Sequence, residues 1–353
     1  MPARPQSYLP PNPRLQKNLM KAIVQDKYGS PDVLELREID KPAVEDDEVL
    51  VRVRAASVHP DVWHVVRGLP FILRIMGAGL LKPKNSVPGT DMAGHVESVG
   101  KDVEQFHPGD EVFGETVRGH QWHNGGSFAE YVSVAEDALA LKPPNVTFEQ
   151  AAAVPTSGLI ALENLRGRVQ PGQRVLVNGA GGGLGTFAVQ LARSYGADVT
   201  GVDSTSKLDM IQSIGADQVI DYTQEDFTQS GERYDLILDI PGNHSMSELR
   251  RALTPEGTYV LIGHDGFGAS GGRLLGSGIP GFLKLLMLSS FVSQDLGLRT
   301  PKETKDPLFV LKELLEAGKV TPVIDRTYPL SEVPEAIRYL EEGHAQGKIV
   351  ITV

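Results

Sequence analysis

The chain has 353 residues, and its 45 acidic against 34 basic side chains give a formal net charge of −11. This balance argues against a nucleic-acid-binding protein, which needs a basic face opposite the phosphates. There is no cysteine, which excludes disulfides, iron–sulfur clusters, a cysteine nucleophile and thiolate zinc sites. The hydrophobic share of 41% is enough for a large core, and the length predicts two domains.

The beginning of the chain predicts an extended arm over residues 1–19. It is rich in proline and has neither the apolar run of a signal peptide nor the amphipathic helix of a transit peptide. The most apolar stretch, residues 279–292, contains Lys284 and is shorter than the roughly 20 residues of a membrane span. We therefore expect no membrane partner and a cytoplasmic location.

Residues 20–143 show the pattern of a β-rich module. Strands are predicted at 21–25, 33–38, 48–55, 93–99, 111–113 and 129–134, with glycine, proline and aspartate turns between them. Residues 61–68 predict a helical turn at the mouth of this module.

Strands and helices alternate after Pro144. Thr147 is the expected cap of a helix over 147–165. Strands predicted at 174–178, 198–203, 218–221, 235–239 and 258–262 alternate with helices at 185–195, 206–214 and 245–252. Alternation of this kind indicates a parallel sheet with crossover helices. The elements predicted at 308–317, 325–328, 332–342 and 348–353 indicate a return to the first domain, because the open sheet is by then complete.

A glycine-rich turn joins the strand at 174–178 to the next helix. It fits the dinucleotide fingerprint A-x-G-x-x-G, in which small residues let the backbone approach a pyrophosphate and the helix N-terminus holds the charge. The predicted binding loop comprises Ala180, Gly181, Gly182, Gly183, Leu184 and Gly185. Such a loop can also be purely structural, but the order of strand, loop, helix and strand favours a dinucleotide site.

Cofactor preference depends on the residues after the second strand of this unit. Asp203 follows Gly185 by 18 residues, and an acid there accepts hydrogen bonds from the ribose hydroxyls and repels a 2′-phosphate. This favours NADH. Ser204, Thr205 and Lys207 come next, and hydroxyl and ammonium groups could instead hold the 2′-phosphate of NADPH. A third interpretation is that Asp203 and Ser204 only cap the next helix.

Further motifs follow in a characteristic order. They are YGSPDVL at 28–34, PGTDMAG at 88–94, GDEV at 109–112, AAAVP at 151–155, GAD at 215–217, DY at 221–222 and GKIV at 347–350. With the fingerprint, they make residues 20–353 resemble the medium-chain dehydrogenase/reductase superfamily, in its zinc-independent quinone-oxidoreductase-like branch. The resemblance implies an α/β fold: a GroES-like catalytic domain (20–143 and 311–353) and a Rossmann domain with a doubly wound parallel sheet (144–310).

The resemblance also bears on metal binding. Zinc-dependent members have Cys, His and Cys at the positions that here are His59, Thr90 and Ala153. Only His59 could ligate, and a catalytic zinc takes three protein ligands, so we expect no metal. His120 and His123 could suggest a metal, but no cysteine or acid cluster adjoins them, and a solvated loop or a lid over the substrate is favoured.

Other cofactor contacts are implied only by the resemblance. Tyr222 corresponds to a family tyrosine near the adenosine phosphate. Gly263, His264 and Phe267 follow the sixth-strand region, where the chain of relatives passes the nicotinamide ring. Lys348 lies in a terminal motif whose backbone often approaches the cofactor. The open alternatives are a core position for Tyr222 and an exposed charge for Lys348. Residues 274–298 correspond to a dimer edge and a pocket wall in relatives, or form buried core.

The candidate catalytic residues follow the third predicted strand. Relatives usually carry Asn-Pro and, two residues on, an aspartate, whereas this chain has His59-Pro60-Asp61 and then His64. A histidine can donate to a carbonyl oxygen or supply a proton near neutral pH. His59, Asp61 and His64 are therefore candidates for polarising or protonating the substrate. Alternatively, they only order the loop or bind the cofactor.

Together these observations predict a zinc-free NAD(P)H-dependent reductase. The resemblance implies hydride transfer to a quinone, an enone or an activated carbonyl, without a flavin. One alternative is a non-enzymatic dinucleotide-binding protein, either crystallin-like or binding a partner chain. Another is an alcohol or aldehyde dehydrogenase of the same superfamily. The expected partners are a small electrophilic acceptor and, by the family habit, a second copy in a homodimer.

Overall fold

The computed structural model describes residues 18–117, 124–263 and 306–353. Several predicted features lie outside the described residues: most of the arm at 1–19, the histidines at 120 and 123, His264, Phe267 and the apolar stretch at 274–298. The fold below is that of the described part of the chain.

The strands, in chain order, are β1 (Leu19–Gln25), β2 (Leu34–Asp40), β3 (Glu48–Val58), β4 (Asp91–Val99), β5 (Glu111–Glu115), β6 (Tyr131–Ala135), β7 (Leu139–Leu141), β8 (Arg174–Asn178), β9 (Asp198–Asp203), β10 (Gln218–Asp221), β11 (Tyr234–Asp239), β12 (Leu253–Leu261), β13 (Ile324–Pro329) and β14 (Lys348–Thr352). The α-helices are α1 (Pro60–Arg67), α2 (Phe148–Ala152), α3 (Pro155–Leu165), α4 (Gly183–Ser194), α5 (Leu208–Ser213), α6 (Met246–Ala252), α7 (Pro307–Glu316) and α8 (Val333–Glu341).

The first sheet is formed by both ends of the chain. Its order is β13-β14-β3-β4-β5-β7, and β6 pairs with β3 beside this path. Strand β14 runs antiparallel to β3, with Ile349 opposite Val58. The C-terminal segment thus returns to the sheet of the first domain, while β1 and β2 form a separate antiparallel hairpin.

The second sheet is parallel throughout, in the order β10-β9-β8-β11-β12. Strands β8 and β11 contribute fully buried apolar side chains, including Val175, Val177 and Leu238, as expected for strands covered on both faces. Helices α3 and α4 pack in the same apolar core through Leu162 and Phe187. The α/β fold class is therefore confirmed, and the domain boundaries near residues 143 and 310 stay a prediction.

The structure differs from the sequence-based expectation at one predicted helix and at one strand that was not predicted. The single helix predicted over 147–165 is two helices, α2 and α3, because Pro155 has no N–H and its ring clashes with a preceding helical turn. Thr147 does cap α2, in a capping box with Gln150. Strand β7 was not predicted, since its three residues are too few to show a pattern.

Candidate active site

The glycine-rich loop connects β8 to α4. Gly179 has a φ of 85°, in the left-handed region that favours glycine. A Cβ at Gly185 would lie 2.1 Å from the carbonyl oxygen of Gly179, so only glycine lets the helix pack this closely. At Gly182, by contrast, the nearest atom to a Cβ would be 3.5 Å away. The loop is therefore packed on its strand side and open at Gly182.

The start of α4 has the donor arrangement that an anion requires. Gly182 is its N-cap and makes no side-chain capping bond. The first N–H groups of a helix lack intrahelical acceptors and carry the positive end of the helix dipole. These residues fit the pyrophosphate of a dinucleotide, which would take the place of a capping side chain.

The predicted cofactor determinants Asp203 and Lys207 form one buried ion pair. Asp203 Oδ2 accepts the N–H of Gly181 at 2.8 Å, and its Oδ1 accepts the N–H of Ser204 at 2.8 Å. Lys207 Nζ lies 3.6 Å from Asp203 Oδ1. Ser204 is the N-cap residue of the turn at Thr205–Lys207, and its side chain makes no capping hydrogen bond to that turn. The Asp203 carboxylate thus braces the loop, with a cation beside it.

Three more predicted cofactor residues follow the carboxyl ends of strands in the same sheet. Thr205 donates to the carboxylate of Asp221, which pairs with Asp203 across β9 and β10. Tyr222 follows β10 and is 60% exposed, so its assignment to the core is wrong. Gly263 lies after β12, where a Cβ would meet the carbonyl oxygen of Ile240 at 2.3 Å.

Lys348 connects the loop to the first sheet. The N–H of Gly347 donates to the carbonyl oxygen of Gly181 at 2.9 Å, so the backbone before β14 contacts the glycine-rich loop. The Lys348 side chain is only 2% exposed, which contradicts the alternative of an exposed charge. Its Nζ donates to Ser157 Oγ at 3.1 Å and lies 3.6 Å from Asp91 Oδ2.

Lys348 belongs to a group of side chains that we call the buried polar cluster. Strand pairing gathers it at one edge of the first sheet, because the ends of β3 and β5 and the start of β4 coincide there. The start of β14 lies beside the end of β3. The members are Ser57, His59, Asp61, Thr90, Asp91, Glu115, Thr156, Ser157 and Lys348.

Asp91 is the acceptor at the centre of the cluster. Its Oδ1 accepts the N–H and the hydroxyl of Thr156 at 3.2 Å and 2.5 Å, and its Oδ2 accepts the hydroxyl of Ser57 at 2.8 Å. With Lys348 nearby, the buried carboxylate has both hydrogen bonds and an opposite charge. Asp91 therefore fixes the relative positions of β3, β4, α3 and β14.

His59 offers a buried ring nitrogen to the site. It is the N-cap residue of α1, and its Nε2 lies 2.7 Å from Thr90 Oγ1. Its Nδ1 is buried without a hydrogen-bond partner among the described residues, and Asp61 Oδ2 is 3.7 Å away. Burial lowers the pKa of His59 to about 4, against the opposing charge of Asp91, so the ring is neutral at pH 7.

Asp61 has the opposite perturbation. Burial raises the pKa of its carboxyl group to about 7, and the charge of Asp91 acts in the same direction. A carboxyl group with this pKa exchanges a proton near neutrality, as a general acid must. His59 and Asp61 therefore place a neutral donor and a titratable acid within 4 Å of each other.

His64 lies on the same helix but has a different environment. Its Nδ1 is 2.8 Å from the carbonyl oxygen of Leu69, and its ring packs edge-on against Trp63 at 4.7 Å. These contacts hold the turn that follows α1. The structure thus brings His59 and Asp61 together and places His64 against Leu69.

Known proteins match most of the chain. The family model "Alcohol dehydrogenase GroES-like domain" matches residues 45–144, and "Zinc-binding dehydrogenase" matches residues 214–351. The chain is 35% identical over 346 residues to a 2-methylene-furan-3-one reductase of Solanum lycopersicum, covering 94% of this chain and 79% of that protein. It is 34% identical over 342 residues to a chloroplastic NADPH-dependent alkenal/one oxidoreductase of Arabidopsis thaliana, with the same coverages.

A solved structure has a similar fold. A quinone oxidoreductase from Coxiella burnetii superposes with a TM-score of 0.79 at 28% identity, covering 95% of this chain and 99% of that one. The chain belongs to the medium-chain dehydrogenase/reductase superfamily. Within it, the chain is a member of the zinc-independent quinone-oxidoreductase-like branch and an NAD(P)-binding oxidoreductase.

In this medium-chain reductase, the residues at the positions of the family's zinc ligands do not fit the metal. His59 and Thr90 hydrogen-bond to each other where zinc-dependent members carry two ligands, and Ala153 supplies no donor atom at the third position. Across residues 18–117, 124–263 and 306–353, no group of three or more His, Cys, Asp or Glu side chains could hold a metal ion. We assign no step of the reaction to zinc.

Sequence reasoning missed the centre of the buried polar cluster. Asp91 and Thr156 both lie in or beside motifs that supported only the family resemblance, PGTDMAG and AAAVP. Glu115 stands at the end of a short strand, and nothing local marks it as part of a site. A carboxylate at the start of a strand, directly before the apolar residues Met92 and Ala93, is the one signal that could have identified Asp91.

No helix among the described residues is long and apolar enough to cross a bilayer. The cytoplasmic location stays a prediction, since curated relatives include chloroplastic and mitochondrial proteins. The homodimer and the absence of a nucleic-acid partner stay predictions as well.

Proposed function

We propose that this medium-chain reductase transfers hydride from NADPH to the electron-poor double bond of an enone or to a quinone, with His59 and Asp61 acting on the acceptor. The observation that carries the proposal is the Nδ1 atom of His59, buried without a described partner and 3.7 Å from Asp61. A buried donor left unpaired is costly, so a ligand oxygen is its natural partner. Relatives are named as reductases of a furanone, of alkenals and alkenones, and of quinones, and each of these acceptors carries a carbonyl oxygen.

The choice of NADPH rests on the ion pair beside the loop. A bare carboxylate at position 203 would repel a 2′-phosphate, which is why the sequence favours NADH. Lys207 offsets this charge at 3.6 Å, and the hydroxyls of Ser204 and Thr205 adjoin it. The relative from Arabidopsis thaliana is NADPH-dependent by name. We therefore propose that NADPH binds more tightly than NADH.

The cofactor supplies the hydride, and the protein supplies binding, orientation and a proton. Gly181–Gly185 and the α4 N-terminus would hold the pyrophosphate of the bound cofactor. His59 Nε2 lies 2.7 Å from Thr90 Oγ1. We assign the Thr90 hydroxyl as the donor in this contact, which places the ring proton on Nδ1. The Nδ1–H group then donates to the acceptor oxygen as negative charge develops there. Asp61 delivers the proton that completes the two-electron reduction and regains it from solvent.

Turnover and a pair of His59 variants test this proposal. Chelator-treated protein is assayed for oxidation of NADPH and of NADH with a panel of quinones, enones and aldehydes. We expect turnover of quinones or enones that is faster with NADPH. His59→Asn keeps an N–H donor and should retain far more activity than His59→Val, whose loss we put at about 10²-fold or more. Equal activity of the two variants, or no turnover with any acceptor, would refute the proposal.

A further inference from the structure

A further buried carboxylate lies in the parallel sheet, at the carboxyl end of β11. Asp239 is 0% exposed, and its two oxygens accept hydrogen bonds from three donors. Oδ1 accepts from Asn178 Nδ2 at 2.9 Å and from the N–H of Gly242 at 3.1 Å. Oδ2 accepts from the hydroxyl of Tyr259 at 2.9 Å. Burial of a carboxylate is costly, and the reaction proposed above assigns no task to this one.

The three partners of Asp239 are neutral donors. Hydrogen bonds donated to a carboxylate favour its ionised form, so Asp239 carries a negative charge. Burial raises the pKa of the Tyr259 hydroxyl, and the charge of Asp239 acts in the same direction, so this hydroxyl stays a donor at neutral pH. Among residues 18–117, 124–263 and 306–353, no lysine, arginine or histidine nitrogen lies within 4 Å of the Asp239 oxygens. Within this part of the chain, dipoles stabilise the charge without neutralising it.

Asp239 stands where the strand order of this sheet reverses. Strands β9 and β10 lie on one side of β8, and β11 and β12 lie on the other side. Asp239 and Asn178 are paired residues at the carboxyl ends of β11 and β8, the two strands that meet at the reversal. A dinucleotide crosses an open parallel sheet outside the carboxyl ends at this boundary. Since Asp203, the predicted ribose contact, ends β9, we expect the nicotinamide half on the side of β11 and β12.

The hydrogen bond to Gly242 also fixes the turn that follows β11. Gly242 has a φ of 64°, in the left-handed region that favours glycine. A Cβ at Gly179 would lie 3.3 Å from the Cβ of Ile240, and a Cβ at Gly263 would lie 2.3 Å from the carbonyl oxygen of Ile240. The turn therefore packs between the glycine-rich loop and the residue after β12, and the buried carboxylate holds it at the reversal of strand order.

We propose that Asp239 is a positioning residue for the nicotinamide half of the cofactor, and that its charge makes the site favour the oxidised cofactor over the reduced one. The inference rests on the proposed function, because it requires NADPH at this site. Loss of the hydride leaves a positive charge on the nicotinamide ring, which is neutral in NADPH. A fixed negative charge at the reversal attracts the oxidised form and the charge that develops during hydride transfer. Asp239 thereby favours hydride donation to the acceptor.

The test removes the charge of Asp239 and keeps its hydrogen bonds. In Asp239→Asn the amide oxygen accepts from Asn178 and Gly242, and the Tyr259 hydroxyl rotates to accept from the amide N–H. The Kd values of NADP⁺ and NADPH are measured by isothermal titration calorimetry for the wild-type protein and the variant. We expect the ratio of the Kd of NADP⁺ to the Kd of NADPH to rise about fivefold or more in the variant. An unchanged ratio would overturn the proposal.

Two control variants separate the charge from the local structure. Asp235→Asn is the same substitution near the opposite end of β11, where Asp235 Oδ2 accepts the N–H of Arg174 at 2.9 Å, and its Kd ratio should equal that of the wild-type protein. Tyr259→Phe keeps the charge of Asp239 and removes one hydrogen bond, so its ratio should not rise. A rise in Tyr259→Phe would assign the effect to the hydrogen bonds and overturn the role of the charge, even where Asp239→Asn does not fold.

Turnover gives an independent readout. In single turnovers at saturating NADPH, hydride transfer by Asp239→Asn should slow about threefold or more, whereas Asp235→Asn should match the wild-type rate. An unchanged rate in Asp239→Asn would contradict the proposal. The two proposals fail in different ways. A protein with the expected Kd ratios that reduces no acceptor would refute only the proposed function, and an active reductase with an unchanged ratio in Asp239→Asn would refute only this inference.

Discussion

Two glycines of one loop should respond in opposite ways to the same substitution. At Gly182 a Cβ would have no neighbour nearer than 3.5 Å, and the φ of −82° suits alanine. At Gly185 a Cβ would lie 2.1 Å from the carbonyl oxygen of Gly179 and 2.7 Å from backbone atoms of Ala180. We expect Gly182→Ala to fold normally and lose the cofactor, and Gly185→Ala to lose stability.

The magnitudes follow from what each methyl group meets. In Gly182→Ala the methyl group stands in the open direction at the start of α4, where the pyrophosphate must approach the N–H groups. Loss of one or two charge-assisted hydrogen bonds, at about 1.5–3 kcal/mol each, weakens NADPH binding by about 10-fold at the least and by about 10⁴-fold at the most. In Gly185→Ala backbone must move by several tenths of an ångström or more, which costs about 1–3 kcal/mol or more of unfolding free energy.

Two measurements on each variant separate these effects. Thermal unfolding without cofactor gives the stability, and titration of NADPH by its fluorescence gives the Kd. We expect Gly182→Ala to keep the wild-type Tm with a raised Kd, and Gly185→Ala to have a lowered Tm. Tight NADPH binding by Gly182→Ala would refute the placement of the pyrophosphate at this loop.

Three further predictions concern charged residues. Lys207→Met should weaken NADPH binding by about 10- to 100-fold, because it removes a charge-assisted bond to the 2′-phosphate that is worth about 1.5–3 kcal/mol. The Kd of NADH, which has no 2′-phosphate, should stay nearly unchanged. Equal losses of affinity for both cofactors would contradict this prediction. The pKa of Asp61 rises from 3.8 to about 7 on folding, so wild-type stability should fall as pH rises through this window. In Asp61→Asn the Tm should fall less than in the wild-type protein over the same pH window. Parallel curves of Tm against pH for the two proteins would argue against the raised pKa of Asp61. Lys348→Met leaves the Asp91 carboxylate without its cation and should lower the free energy of unfolding by about 3–5 kcal/mol in a urea titration.

The sequence predicted the parts of the molecule that depend on local pattern. The alternation of strands and helices after Pro144 indicated the parallel sheet, and the spacing of Ala180, Gly182 and Gly185 located the loop. These signals are short-range, since each arises within one strand, turn or helix. Asp203 was found in the same way, but its ion pair with Lys207 depends on side-chain packing that spacing does not report.

The buried polar cluster could not be predicted in this way. Its members stand between positions 57 and 348. They come together through the antiparallel pairing of β3 with β4 and β14, the pairing of β4 with β5 and the packing of α3. Lys348 shows the difficulty: a lysine before an apolar strand is usually exposed, and here burial is possible because Asp91 and Ser157 receive its Nζ. His59 was identified from its departure from the family pattern, yet its unpaired Nδ1 is visible only in the structure.

The central claim is direct hydride transfer from NADPH to the acceptor without a metal. It is tested most directly with NADPH carrying deuterium at the transferred position of the nicotinamide, chelator-treated protein and an enone. Mass spectrometry should find one deuterium on the β-carbon of the reduced product, at a yield that the chelator does not lower. A product without deuterium, or activity that chelation removes and zinc restores, would contradict the account.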